Sequence, residues 1–136
     1  MVGVDITELY ALAKKVRENA YAPYSGFKVG AALFSESGKV YLGCNVENAS
    51  YGLTVCAERV AIFNAISEGE HAFKVIVICA DETNPVPPCG ACLQVMAEFG
   101  DFDIFSFNLE GKFLQMRLSD LLPHTFRLSN RTKRSS

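Results

Sequence analysis

Two short segments constrain this chain more than anything else in it: Thr54-Val55-Cys56-Ala57-Glu58-Arg59 and, about thirty residues later, Pro87-Pro88-Cys89-Gly90-Ala91-Cys92. Each stands where a helix begins, so three thiols and a carboxylate act together only if the fold carries two helix N-termini to one place. Cys89 and Cys92 are three apart, which puts both sulfurs on one side of a first helical turn. Cys56 supplies the third sulfur. Zinc takes soft thiolates in tetrahedral geometry, and a catalytic zinc site keeps three protein ligands so that the fourth position can hold water. A helix N-terminus favours thiolate over thiol through its dipole and free N–H groups.

Other uses of these residues stay open on spacing alone. A Cys-x-x-Cys pair also serves as a redox couple, or as half of a closed four-ligand structural site. A fourth ligand is hard to supply. His71 and His124 lie at element ends far along the chain, and Cys44 and Cys79 fall in strand-like runs, where a buried thiol acts as a small hydrophobe. Glu58 is close enough to Cys56 to reach a water on the metal without ligating it, although the same carboxylate would also stabilise a helix N-terminus. Beside three thiols it reads as a proton shuttle. Arg59 is always charged and can donate to a cysteine sulfur, offsetting the net negative charge of three thiolates on a divalent ion; a surface salt bridge is the equal alternative.

The chain has 136 residues, 49% hydrophobic and 21% charged, a balance that predicts one globular core. We expect a single catalytic domain over 1–126 and a polar basic tail over 127–136 carrying Arg127, Arg131, Lys133 and Arg134. A formal net charge of −2 gives no general pull toward nucleic acid. The start, Met1-Val2-Gly3-Val4-Asp5, has no basic region before an apolar block, and no run approaches the length of a membrane span, so a cytoplasmic protein is expected. Five cysteines, an odd number, fit poorly with a complete disulfide framework.

Apolar spacing from Asp5 to Ala20 predicts an amphipathic helix with a capped start. The loop Tyr21-Ala22-Pro23-Tyr24-Ser25-Gly26 is rich in turn residues, and its tyrosines are read as packing residues. Strands are expected at 27–34 and 39–45 as an antiparallel hairpin, then a helix at 56–68 stopped by Gly69. The run 73–80, FKVIVICA, reads as a strand covered on both faces. A helix at 89–99, strands at 103–108 and 112–117, and a short helix at 118–122 complete the order. Strand, helix, strand, helix, strand in the middle favours parallel strands with right-handed crossovers, while the outer hairpins add antiparallel edges. The expected fold class is α/β: a three-layer α/β/α arrangement around a mixed five-stranded sheet.

Cys56-Ala57-Glu58 with Pro88-Cys89-Gly90-Ala91-Cys92 is similar to the three-cysteine form of the zinc deaminase signature. The longer stretches CNVENASYGLTVCAER and PCGACLQV resemble the small cytidine deaminases that act on free nucleosides, and the resemblance runs over residues 21–126, beginning with YAPYSGFKVGAAL. It implies one zinc per subunit on Cys56, Cys89 and Cys92. It also implies hydrolytic deamination of cytidine and deoxycytidine to uridine and deoxyuridine, in pyrimidine salvage, by a homotetramer whose active sites are completed by neighbouring subunits. Glu58 would take the water proton, deliver it to N3 and later protonate the departing amino group. By the same resemblance Phe27 packs on the base, the backbone at Ala57 and Cys89 contacts it, and Asn45 with Glu47 hydrogen-bonds the ribose hydroxyls. Phe126 matches an aromatic lent to a neighbouring subunit's pocket.

A negative group at Glu47, close to the sugar, should disfavour a 5′ phosphate, so the expected partner is a nucleoside, with no nucleic acid or membrane. Similar three-cysteine enzymes often carry arginine after the last zinc cysteine, whereas this chain has Leu93, leaving Arg59 and the helix ends to offset the thiolates. Two rival readings are a related zinc deaminase of a cytosine-containing antibiotic, and a non-catalytic zinc-stabilised module binding RNA or protein, with RNA held through the basic tail.

Overall fold

The computed structural model describes residues 4–128. In chain order it contains helix α1 (Ile6–Val16), strands β1 (Val29–Ser35) and β2 (Val40–Cys44), helix α2 (Ala57–Ser67), strand β3 (Phe73–Ala80), helix α3 (Gly90–Ala97), strands β4 (Asp103–Phe107) and β5 (Phe113–Arg117), and a short helix α4 (Leu118–Leu121). Residues 129–136, most of the expected basic tail, lie outside the described residues. The five strands form one mixed sheet in the order β2-β1-β3-β4-β5, in which β3 and β4 pair in parallel and the other neighbours are antiparallel.

Strand periodicity assigns the two faces. On β3, Val75, Val77 and Cys79 point to the side packed by α1, while Ile76 and Ile78 point to the side packed by α2 and α3. Both sides are therefore covered, as the continuous apolar run 73–80 requires. Helix α1 starts at Asp5, whose carboxylate accepts from the N–H groups of Thr7 at 2.9 Å and Glu8 at 3.4 Å. It ends at Val16, earlier than its apolar spacing suggests, because residues 17–19 tighten into a 3₁₀ turn. Helix α2 stops as expected: Gly69 takes φ 89°, and Gly69 and Glu70 return their N–H groups to Ile66 and Ala65.

The parallel core differs from the expected one in a single respect. β2 and β3 run the same way but are not neighbours, because β1 lies between them, antiparallel to both. Burial explains the choice: Ala31, Ala32 and Leu33 of β1 are completely buried, whereas β2 is mostly half-exposed and suits an edge. The hairpin strands are also shorter than expected. The Asn45 side chain takes the place of a strand residue, its Oδ1 accepting from Val29 N–H and its Nδ2 donating to the Phe27 carbonyl, both at 2.8 Å.

Two glycines set how closely the helices approach. A Cβ at Gly43 of β2 would lie 2.4 Å from the Ala61 nitrogen and 2.5 Å from the Ala57 oxygen, so α2 rests directly on the strand backbone. Gly30 of β1 plays the same part under α1, where a Cβ would lie 2.0 Å from the Ala13 oxygen. Among the described residues no helix is long and apolar enough to cross a membrane.

Candidate active site

Strands β2 and β3 point the same way, so the loops leaving their ends feed α2 and α3 from one edge of the sheet. Cys56 caps the start of α2 with φ −73° and ψ 155°, and Cys89 caps α3 with φ −71° and ψ 167°. Neither side chain caps its own helix by accepting from a first-turn N–H, so both sulfurs are turned toward the cluster instead. Cys92 reaches them from the first turn of α3. The Cys56 and Cys89 sulfurs are 3.9 Å apart, those of Cys89 and Cys92 3.5 Å, and all three lie within 4.8 Å of one another. Tetrahedral zinc with bonds of about 2.3 Å places its sulfurs about 3.8 Å apart, so this donor set fits the ion.

The other cysteines and both histidines stay outside the cluster. Cys79 is buried in β3 and Cys44 is half-buried at the end of β2, and burial pushes both thiols up. His71 lies against the ring of Phe99, and His124 is exposed. Among the described residues, Cys56, Cys89 and Cys92 are the one group of three such side chains gathered in this way.

The charges around the cluster follow from its geometry. The Cys56 thiol is pulled well down, most by the neighbouring Cys92 thiol; burial opposes this, and Arg59 lowers it further. Cys92 is pushed up, most by the neighbouring Cys56 and by burial. Arg59 donates from Nη2 to the Cys56 sulfur at 3.5 Å, and its Nε is buried without a hydrogen-bond partner. Glu58, only 7% exposed, is pushed up to about 7, chiefly by burial. A carboxyl poised there can hold a proton or release it near neutral pH.

The polar residues between the hairpin and α2 form a second group. Asn45 is buried and ties residues 27–29 in place. Glu47 is half-buried, and Oε1 accepts from the N–H groups of Tyr24 at 2.9 Å and Ser25 at 3.1 Å. Its Oε2 accepts from the Ser25 hydroxyl. These donors hold the Glu47 carboxyl below the usual carboxylate range, the Ser25 hydroxyl most. A cavity of about 340 Å³ borders Glu47, lined also by Tyr24, Ser25, Asn48, Tyr51 and Thr54. A larger one, about 570 Å³, lies at the other end of the strands beside Phe34, Val40 and Lys74 and holds none of the cysteines.

The family model for the cytidine and deoxycytidylate deaminase zinc-binding region matches residues 4–107. This chain belongs to that deaminase family. It is 49% identical over 125 residues to a cytidine deaminase of Sporosarcina psychrophila, covering 90% of this chain and 92% of that protein. It is 53% identical over 116 residues to one from Halalkalibacterium halodurans, covering 84% and 88%. Among solved structures, a cytidine deaminase from Burkholderia pseudomallei matches with a TM-score of 0.87 at 47% identity, over 90% of this chain and all of that one.

Within the deaminase fold the residues singled out from sequence fall into separate places. Cys56, Glu58, Arg59, Cys89 and Cys92 converge at the two helix starts, with Ala57 fully buried as the first residue of α2. Phe27, Asn45 and Glu47 are joined by hydrogen bonds through Ser25 and the backbone. Phe126 stands apart, 68% exposed, its carbonyl accepting from Gln94 of α3 at 3.2 Å. Leu93, on α3, points into the core. Tyr21 and Tyr24, expected to pack, are 56% and 53% exposed, because their loop lies along the surface beside Glu47. Sequence reasoning also passed over Ser25. The available signal was a hydroxyl residue next to Gly26 in a turn, which marks local hydrogen bonding but not its distant partner.

Proposed function

We propose that this protein is a zinc-dependent cytidine deaminase, converting cytidine and deoxycytidine to uridine and deoxyuridine with release of ammonia. One observation carries the reading: three sulfurs at zinc-tetrahedron spacing with the buried Glu58 carboxyl two residues from one of them. Cys56, Cys89 and Cys92 would hold the ion. When bound, zinc supplies the Lewis acidity that makes water nucleophilic near neutral pH. Glu58 takes the proton released as water adds at C4, delivers it to N3, and protonates the amino group as it leaves. Arg59 offsets the negative charge of the thiolates.

Phe27 packs on the pyrimidine, and the backbone at Ala57 and Cys89 contacts it. Asn45 and Glu47 bind the sugar. Glu47, kept ionised by its three donors, disfavours a 5′ phosphate and so selects nucleosides over nucleotides. The exposed Phe126 suits an aromatic that a neighbouring subunit accepts, in a homotetramer built from the 1–126 domain. Cytoplasmic pyrimidine salvage is the role that this reaction serves.

The test is conversion of cytidine to uridine by purified protein, followed by ultraviolet absorbance, with Glu58→Gln as the control and zinc measured in both. Loss of turnover by a factor of about 10² or more with zinc retained supports the reading. No conversion by zinc-loaded wild type overturns it.

A further inference from the structure

The Ser25 hydroxyl stands between the two residues read above as sugar-binding and base-packing. It donates to Oε2 of Glu47 and accepts from the Phe27 N–H at 2.9 Å. A serine hydroxyl has one proton to give and two lone pairs, so it makes both bonds at once. Gly26, with φ 71°, reverses the chain between them and lets Ser25 reach Phe27. On the opposite side of the same residue, the Phe27 carbonyl accepts from Asn45 Nδ2 at 2.8 Å. Both polar groups of the Phe27 backbone are thus held, one by Ser25 and one by Asn45.

The acceptor sites of Glu47 can be counted. An ionised carboxylate offers about four. The N–H groups of Tyr24 and Ser25 fill two on Oε1, and the Ser25 hydroxyl fills one on Oε2. Among the described residues one site remains, on the oxygen that Ser25 holds, and it can only accept, because the carboxylate has no proton of its own. That is enough for a single sugar hydroxyl. Remove the Ser25 hydroxyl and Oε2 loses its restraint while Oε1 keeps both of its bonds, so the damage falls on the oxygen with the open site.

We propose that Ser25 is a positioning residue for substrate recognition: its hydroxyl sets Glu47 Oε2 to accept one sugar hydroxyl and, through the Phe27 N–H, ties the sugar end of the pocket to the base end. The proposal rests on the nucleoside reading given above. It places Ser25 outside the chemical step, so its loss acts on binding and on discrimination between sugars.

The experiment compares wild type, Ser25→Ala, Ser25→Thr and Ser25→Cys as zinc-loaded full chains on cytidine and on 2′,3′-dideoxycytidine, which lacks both lower sugar hydroxyls. Ser25→Ala should raise KM for cytidine about tenfold with kcat changed less than about threefold, and compress the cytidine to dideoxycytidine ratio of kcat/KM by a similar factor. Ser25→Thr, which keeps the hydroxyl, should restore the ratio. Ser25→Cys, close in size but a weak donor, should compress it, and this covers a case in which alanine loosens the loop. In a Glu47→Ala background, Ser25→Ala should leave the ratio where it is. A ratio unchanged in Ser25→Ala, or a fall confined to kcat, overturns the proposal while the nucleoside reading stands. Wild type inactive on cytidine overturns that reading, and this proposal with it.

Discussion

Val46 and Val55 exchange both of their backbone hydrogen bonds, each 3.0 Å long, in an antiparallel bridge outside the main sheet. Val46 lies between Asn45 and Glu47, and Val55 immediately precedes Cys56. This one pairing therefore ties the segment that carries Asn45 and Glu47 to the start of the helix that carries Cys56. On its other side Val46 bridges to Tyr21, where the Tyr21 N–H donates to Asn45 at 3.0 Å and the Glu47 N–H donates to Tyr21 at 2.8 Å.

Val55→Pro removes one donor of that pair and costs about 1 kcal/mol of local stability. The three sulfurs are carried by the two helix starts, so zinc stoichiometry should hold near one per chain. Steady-state kinetics should show kcat/KM for cytidine down about tenfold or more, because sugar contacts and chemistry no longer share one geometry. Unchanged kinetics would show that the bridge does not set the register of the two groups.

Gly43→Ala and Gly30→Ala make a matched pair. Each introduces a Cβ against helix backbone, closer than 3 Å, and each should destabilise by about 1–3 kcal/mol in thermal unfolding. Their effects on the site should differ. Gly43 supports α2, which carries Cys56 and Glu58 at its start, so zinc content and turnover should both fall. Gly30 supports α1 on the other face, so zinc content should be kept at temperatures where the variant is folded. Equal zinc retention in the two would refute the idea that Gly43 places the site.

Arg59→Ala removes the guanidinium that donates to Cys56 and leaves Leu93, an apolar core residue, as the neighbour after Cys92. The thiolates then keep their full negative charge, which lowers the acidity that the metal can impart. Turnover should fall about tenfold or more, with zinc affinity measured by chelator competition changed as well. If zinc content and turnover are both unaltered, Arg59 does not offset the thiolates.

Chelation should abolish turnover and lower Tm by several degrees, since metal binding energy is part of the folding energy of a thiolate site. Added zinc should restore both, and magnesium neither, because magnesium prefers oxygen ligands. A stripped protein with unchanged Tm would indicate that the cluster is held by packing alone.

The legible parts were those whose chemistry is local. Asp5 caps a helix whatever lies elsewhere, Gly69 ends one, and the run 73–80 can be stable only between two layers. The spacing of Cys89 and Cys92 and the position of Glu58 beside Cys56 are likewise contained in a few consecutive residues. The burial of β1 between β2 and β3 was not visible in this way, because adjacency depends on which hairpin strand buries more surface once α1 and α2 are packed. Asn45 entered as a sugar contact only through the family resemblance, and its substitution for a strand residue was not visible in the sequence, since its partners are 16 and 18 positions away.

By itself, then, the amino-acid order determined the helices, the buried central strand and the identity of the thiols and carboxyl that can meet, since these follow from backbone periodicity and side-chain chemistry over short distances. Only the tertiary structure decided that Val46 pairs with Val55, that Gly43 lets α2 settle on β2, and that Ser25 holds Glu47. Those contacts join segments far apart in the chain, and they form because the packed sheet makes the backbone and carboxylate groups available to one another at hydrogen-bonding distance.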